Sequence, residues 1–223
     1  MAVNYPVTFG PLATDFGKQI LSSTFGLARS NAIAQSPWTG AAQIAQFDYA
    51  LWEAEIKTVL LNENDILAWQ SFLISLQGSY GTFLMGDPDR PAPKGKISPS
   101  ATVTVRQSTA ARSSTVPVRV ANTASTTDPS LLAGDYVQLG SGSTSRIYLL
   151  TADVTSSGTS FNANLQIQPP LKKSASVNDV VTITKCKGIF RLADDVVQWP
   201  SSNTKMSQIS FTAIENIPAT GII

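Results

Sequence analysis

The sequence predicts a mainly β protein, in which a β domain carrying one amphipathic α-helix is interrupted by a small β-barrel or sandwich module. Three observations lead there. Short runs of alternating apolar and polar residues recur along most of the 223-residue chain, as half-buried strands require. Only residues 63–77 combine helical spacing of apolar side chains with signals for a helix start and stop. Charge is also partitioned. Residues 1–95 hold five Lys/Arg against eight Asp/Glu, and residues 96–223 hold eleven against seven. That contrast places a boundary near Pro91-Ala-Pro-Lys-Gly95.

Residues 5–60 read as β structure. Ile20–Arg29 and Ala32–Ser36 are short runs split at Ser30-Asn31, a hairpin-type connection. Pro37-Trp-Thr-Gly40 is a turn. In Gln46–Ile56 an aromatic, acidic strand follows: Phe47, Tyr49 and Leu51 alternate with Asp48 and Ala50, then Trp52, Ala54 and Ile56 alternate with Glu53 and Glu55. The phase slips between Leu51 and Trp52, as a β-bulge would require. In the helix, Asn62 suits the N-cap, Glu63 and Asp65 put negative charge in the first turn, and Gly78 fits the C′ position. Ile66, Trp69, Leu73 and Leu76, widened by Phe72, form its apolar stripe.

From Lys96 to Lys187 six short strand candidates follow: Thr102–Arg106, Ser114–Val120, Asp135–Leu139, Arg146–Thr151, Asn164–Gln168 and Asp179–Thr184. Turn clusters such as Gly140-Ser-Gly-Ser separate them, a spacing that suits a small sandwich or barrel. The Ser/Thr-rich stretch 121–130 reads as a loop. After Gly188 the earlier character returns, with Gly188-Ile-Phe-Arg-Leu192, a turn at Asp194-Asp195 and a last strand over Met206–Asn216. The expected organisation is therefore a domain built from 1–95 and 188–223, with 96–187 inserted.

Composition narrows the function classes. Charged residues make up 14%, against roughly a quarter in typical domains, and Ser, Thr, Ala, Gly and Pro are abundant. Such a surface suits a subunit packed against neighbours. The net charge of +1 offers no global field for nucleic acid or an anionic membrane. Histidine is absent, which removes the commonest general base and transition-metal ligand. Cys186 is the single cysteine, so an intramolecular disulfide is excluded. Lys185 and Lys187 beside it would lower a thiol pKa, although a small buried strand residue is the preferred reading. The N-terminus shows no basic region followed by an apolar core, and no apolar run reaches the ~18 residues of a membrane span. A cytosolic product, at least at first, is expected.

Few residue groups suggest chemistry. Glu53 and Glu55, two apart on a strand, face one side. A glycosidase-like acid pair with Trp52 as sugar platform is one reading, and a solvated or interface-facing strand is the preferred one. Asp87-Pro-Asp89 offers oxygen ligands but lacks the rest of a Ca²⁺ loop, so a turn is preferred. No P-loop, dinucleotide turn or basic-aromatic patch occurs. The chain is expected to be no enzyme and to use no cofactor or metal.

Ser36-Pro-Trp-Thr-Gly40, Trp52-Glu-Ala-Glu-Ile56, Trp69-Gln-Ser-Phe-Leu-Ile-Ser-Leu-Gln-Gly78 and Tyr80-Gly-Thr-Phe-Leu-Met-Gly-Asp-Pro88 together resemble tail-tip proteins of long-tailed (siphovirus-type) bacteriophages. Ala133-Gly-Asp-Tyr-Val-Gln-Leu-Gly140, Gly188-Ile-Phe-Arg-Leu192 and Ile209-Ser-Phe-Thr-Ala-Ile-Glu215 fit the same pattern, which looks like that of a distal tail protein. The resemblance implies a β-sandwich ring domain with a second β module, and a structural virion protein at the tail tip or baseplate. It implies a homo-oligomeric ring, a hexamer, that joins the tail tube protein to the baseplate hub protein. DNA would pass through its channel without specific binding, and no membrane insertion is implied. In many relatives the second module is appended at the C-terminus; here it reads as an insertion, so receptor binding is not carried over. Phe47, Tyr49, Trp52, Glu53 and Glu55 are the candidates for the ring's wall or subunit contact. The alternative function is a carbohydrate-binding module or a receptor-binding accessory protein of the tail tip.

Overall fold

The computed structural model describes residues 4–10, 19–121, 129–155, 158–196, 198 and 206–217; for Asp48 and Tyr49 it describes the backbone alone. Among the described residues the architecture is mainly β with one α-helix. Its elements are β1 (Val7–Thr8), β2 (Ile20–Gln35), β3 (Ala42–Thr58), α1 (Glu63–Ser75), β4 (Thr82–Met85), β5 (Thr102–Val105), β6 (Thr115–Ala121), β7 (Pro129–Leu131), β8 (Tyr136–Leu139), β9 (Arg146–Leu150), β10 (Val154–Thr155), β11 (Ser160–Gln168), β12 (Val180–Thr182), β13 (Gly188–Leu192) and β14 (Ser210–Glu215).

Strands from both ends of the chain form one six-stranded sheet, in the order β1-β4-β13-β14-β3-β2. Its aromatic face is dictated by two-residue alternation. Ala54 and Ile56 of β3 stand level with Ala213 and Phe211 of β14, Trp52 continues the same side of β3, and Phe190 of β13 stands level with Phe83 of β4. The opposite face carries Glu53, Glu55, Lys57, Ser210 and Thr212, all exposed. A sheet that is antiparallel except where β1 meets β4, with one wet face, needs this pattern.

Helix α1 covers one end of the aromatic face. Asn62 caps it, its side chain accepting from the Asp65 N–H at 2.9 Å. Trp69, Leu73 and Leu76 are almost fully buried with Ile56 and Phe83, and Ile66 lies half-buried at the edge. Burying each such side chain contributes about 1.5–3 kcal/mol. The helix stops earlier than its pattern suggests, at Ser75 with Leu76 as C-cap. Gln77 rather than Gly78 is the first left-handed residue, with φ +53° followed by +71°.

The six strand candidates of the middle segment are the six strands of a closed barrel, β11-β6-β5-β12-β8-β9. Val116, Val118 and Val120 on β6 show why: every second residue is a β-branched side chain, and all three fill the barrel interior. A two-stranded ribbon, β7 with β10, lies outside the barrel and was not expected. Of the expected loop 121–130, residues 122–128 lie outside the described residues, and Pro129-Ser130 belong to β7. The two segments joining sheet and barrel run tightly together, because a side chain at Gly86 would overlap the Cys186 carbonyl.

The expected hairpin connection at Ser30-Asn31 is corrected. β2 runs unbroken for 16 residues, and the reversal comes at Ser36–Ala41. There the Ser36 N–H donates to the Ala41 carbonyl at 2.9 Å, and Gly40 takes φ +69°. The phase slip is real but lies earlier than expected. Arg29 pairs with Ala50 and Asn31 with Gln46, so Phe47, Asp48 and Tyr49 of β3 stand opposite Ser30 alone. Turn-forming Ser30-Asn31 thus marks a bulge, not a turn.

Candidate assembly surface

The bulge divides the β2–β3 hairpin into a base and an arm. At its base β3 pairs with both β2 and β14, whose register ends at Ile214 opposite Glu53. Beyond the bulge, β2 and β3 pair only with each other among the described residues, from Asn31↔Gln46 to Gln35↔Ala42. From Arg29 to Phe47 every residue is exposed except Ser36, which is half-buried. The arm extends roughly 20 Å at the rise of an antiparallel strand. No charged residue occurs between Arg29 and Asp48.

The arm's exposed apolar residues are large. Trp38 at the tip is 93% exposed, Ile33 66%, Ile44 63% and Phe47 53%. A two-stranded hairpin open on both faces is marginal in water alone, and its free backbone edges are ready to pair with another strand. Of the contact candidates taken from the sequence, Phe47 alone lies among these exposed residues. The signal that finds the rest is the uncharged stretch itself, with Ile33 and Ile44 equidistant from the Ser36–Ala41 turn.

The other sequence candidates are placed as follows. Glu53 and Glu55 lie side by side on the outer face of β3 and are exposed. The side chain of Tyr49 lies outside the described residues. Trp52 requires a correction, since it is 4% exposed and faces inward. Its Nε1–H donates to the Ile147 carbonyl of the barrel at 2.9 Å, and its indole meets the Tyr136 ring edge-on at 5.8 Å. The bulge over residues 47–49 resets the alternation, so Trp52 joins the core while Phe47 stays outside. As a consequence, Trp52 offers neither a subunit contact nor a sugar platform.

The Asp87-Pro-Asp89 segment is a turn in which the Asp87 carboxylate accepts from the Asp89 N–H at 3.0 Å. Asp195 accepts from the Ser79 N–H at 2.9 Å and from its hydroxyl, and these bonds hold its carboxyl below the usual carboxylate value. Among the described residues no three His, Cys, Asp or Glu side chains gather where they could hold a metal ion. Cys186 is buried, its thiol within reach of the Thr182 and Tyr136 carbonyls at 3.2 and 3.3 Å. Burial pushes its pKa up to about 12, against any activating effect of Lys185 and Lys187.

No described helix is long and apolar enough to cross a membrane. No family model matches the chain. No curated protein matches it either.

Proposed function

We propose that this protein is a structural subunit of a bacteriophage tail tip, assembling into a closed homo-oligomeric ring, a hexamer, around the channel between tail tube and baseplate hub. The observation that carries the reading is the uncharged hairpin arm, exposed on both faces. Such an arm is costly in a protein that works alone, because its free edges invite aggregation. In a ring each arm pairs with its neighbours, and closure leaves no edge open.

The arm's composition also suits a channel. Its polar residues are Ser, Thr, Asn and Gln, so a lining built from it offers DNA no cations that would hold phosphates and slow passage. The arm itself carries no charge of either sign. Glu53 and Glu55 then belong to the outer sheet face, as part of the wall. The ring domain in this reading is the six-stranded sheet with α1, and the barrel is the inserted module. No catalytic step, cofactor or membrane insertion forms part of the proposal.

The test is electron microscopy of tail tips from purified virions, with a tag on the exposed Asn162 side of the barrel. A ring of tagged density between tube and hub supports the proposal. Absence of the protein from virions, or hydrolysis of a glycan abolished by Glu53→Gln, overturns it.

A further inference from the structure

Glu215, at the end of β14, is a carboxylate sealed between sheet and barrel, its side chain entirely hidden from solvent. Oε2 accepts from the backbone N–H of Trp52 on β3 at 3.1 Å and forms an ion pair with Lys172 Nζ from the segment after β11. The Lys172 side chain is 8% exposed. Its backbone N–H donates to the Tyr148 hydroxyl of β9 at 3.2 Å. Arg146, also on β9 and buried, lies close enough for its charge to act on Glu215. Among the described residues Oε1 has no hydrogen-bond partner. Sheet and barrel thus share one carboxylate held by charge from one side and a single backbone donor from the other.

Around this ion pair the joint is mostly apolar, although the Trp52 Nε1–H bond to the Ile147 carbonyl and a bond from the Arg29 guanidinium to the Gln168 side chain also cross it. Phe25, Trp52 and Phe190 of the sheet meet Tyr136, Ile147 and Leu149 of the barrel. The apolar contacts attract without direction, so relative rotation rests on the polar contacts across the joint, among which the Lys172–Glu215 ion pair is the buried, charged one. A buried ion pair behaves in the opposite way. Replacing it with neutral side chains of similar size is often neutral or stabilising, while its geometry demands one placement of both partners.

We propose that Lys172–Glu215 is an orientation lock, setting the angle of the barrel on the sheet rather than the stability of either. When the lock is lost the barrel pivots on its two connections, residues 86–101 and 183–187. The unpartnered Oε1 adds to the case: without Lys172 the carboxylate keeps one hydrogen bond and must draw in water, which opens the joint. The inference concerns the single chain and does not depend on ring assembly.

The experiment measures the distance between spin labels at Thr212→Cys on the outer sheet face and Asn162→Cys on the barrel, in the full chain with Cys186→Ala. Amide hydrogen exchange is followed in parallel. With Lys172 and Glu215 intact one narrow distance distribution is expected. In Lys172→Met/Glu215→Gln the distribution broadens, by about twofold or more, while barrel and sheet amides keep their protection. In Lys172→Met alone the distances lengthen as the lone carboxylate is hydrated. A double variant whose distribution stays as narrow as the parent's overturns the proposal, because the other contacts across the joint then suffice. So does loss of protection throughout the chain in the double variant, which makes the pair part of one cooperative core.

Discussion

Ile33 of β2 and Ile44 of β3 stand directly opposite each other in the arm, and both keep nearly two-thirds of their surface exposed. Within one chain they gain little from this pairing; covered by a neighbour, each would contribute about 1.5–3 kcal/mol. Ile33→Asp/Ile44→Asp should therefore abolish assembly. Because the sites are exposed in the single chain, its unfolding free energy should change by no more than ~0.5 kcal/mol each. Denaturant titration beside analytical ultracentrifugation separates the two effects. A large loss of monomer stability would show that the arm packs against its own chain.

Leu73 tests the helix. It is 1% exposed and sits in the cluster with Ile56, Phe83 and Phe190. Leu73→Ala should cost roughly 2–5 kcal/mol by denaturant titration. Ile74→Ala on the exposed face should change little.

Asp195 gives an acid-side prediction. Its carboxylate holds Ser79 and so ties the loop after β13 to the turn after α1. Hydrogen bonds from Ser79 lower its pKa, so the contact is fully present above the usual carboxylate value. It is lost as pH falls through the lowered one. Exchange of the Ser79 amide should accelerate over that acid window without global unfolding. Asp195→Asn should remove the pH dependence.

An alkaline limb follows from buried acids kept neutral. Burial raises the Cys186 thiol from 9.0, and the Tyr148 hydroxyl from 10.0, each to about 12. Between the ordinary and raised values the unfolded chain binds fewer protons than the folded one. Stability therefore falls as pH rises from about 9 to 12. Cys186→Ala should shift the onset upward, toward the tyrosine range. The native thiol should also stay unreactive toward alkylating reagents at pH 8 until the chain unfolds.

The barrel was legible because each strand carries its own evidence. Val116, Val118 and Val120 alternate within five residues, and the turns between strands are rich in Gly and Ser. The helix was legible from Asn62, the acidic first turn and the Trp69/Leu73/Leu76 spacing. The hairpin was misread at Ser30-Asn31 because bulges and turns favour the same residues. Trp52 was misread because one bulge inverts which side chains face inward, and alternation alone cannot say which phase is buried. The arm was hidden for a different reason: Ile33 lies between Ala32 and Ala34, and Ile44 between Gln43 and Ala45, so neither run shows which face, if any, is covered. Lys172 and Glu215 lie far apart in the chain, and only the folded joint brings them together.

Native mass spectrometry of the purified chain, compared with a variant in which residues 31–46 are replaced by a two-residue Asn-Gly turn, tests the account most directly. A closed oligomer for the parent, and a folded monomer with intact sheet and barrel for the shortened chain, is the predicted result. A monomeric parent, or the same oligomer formed without the arm, would contradict it.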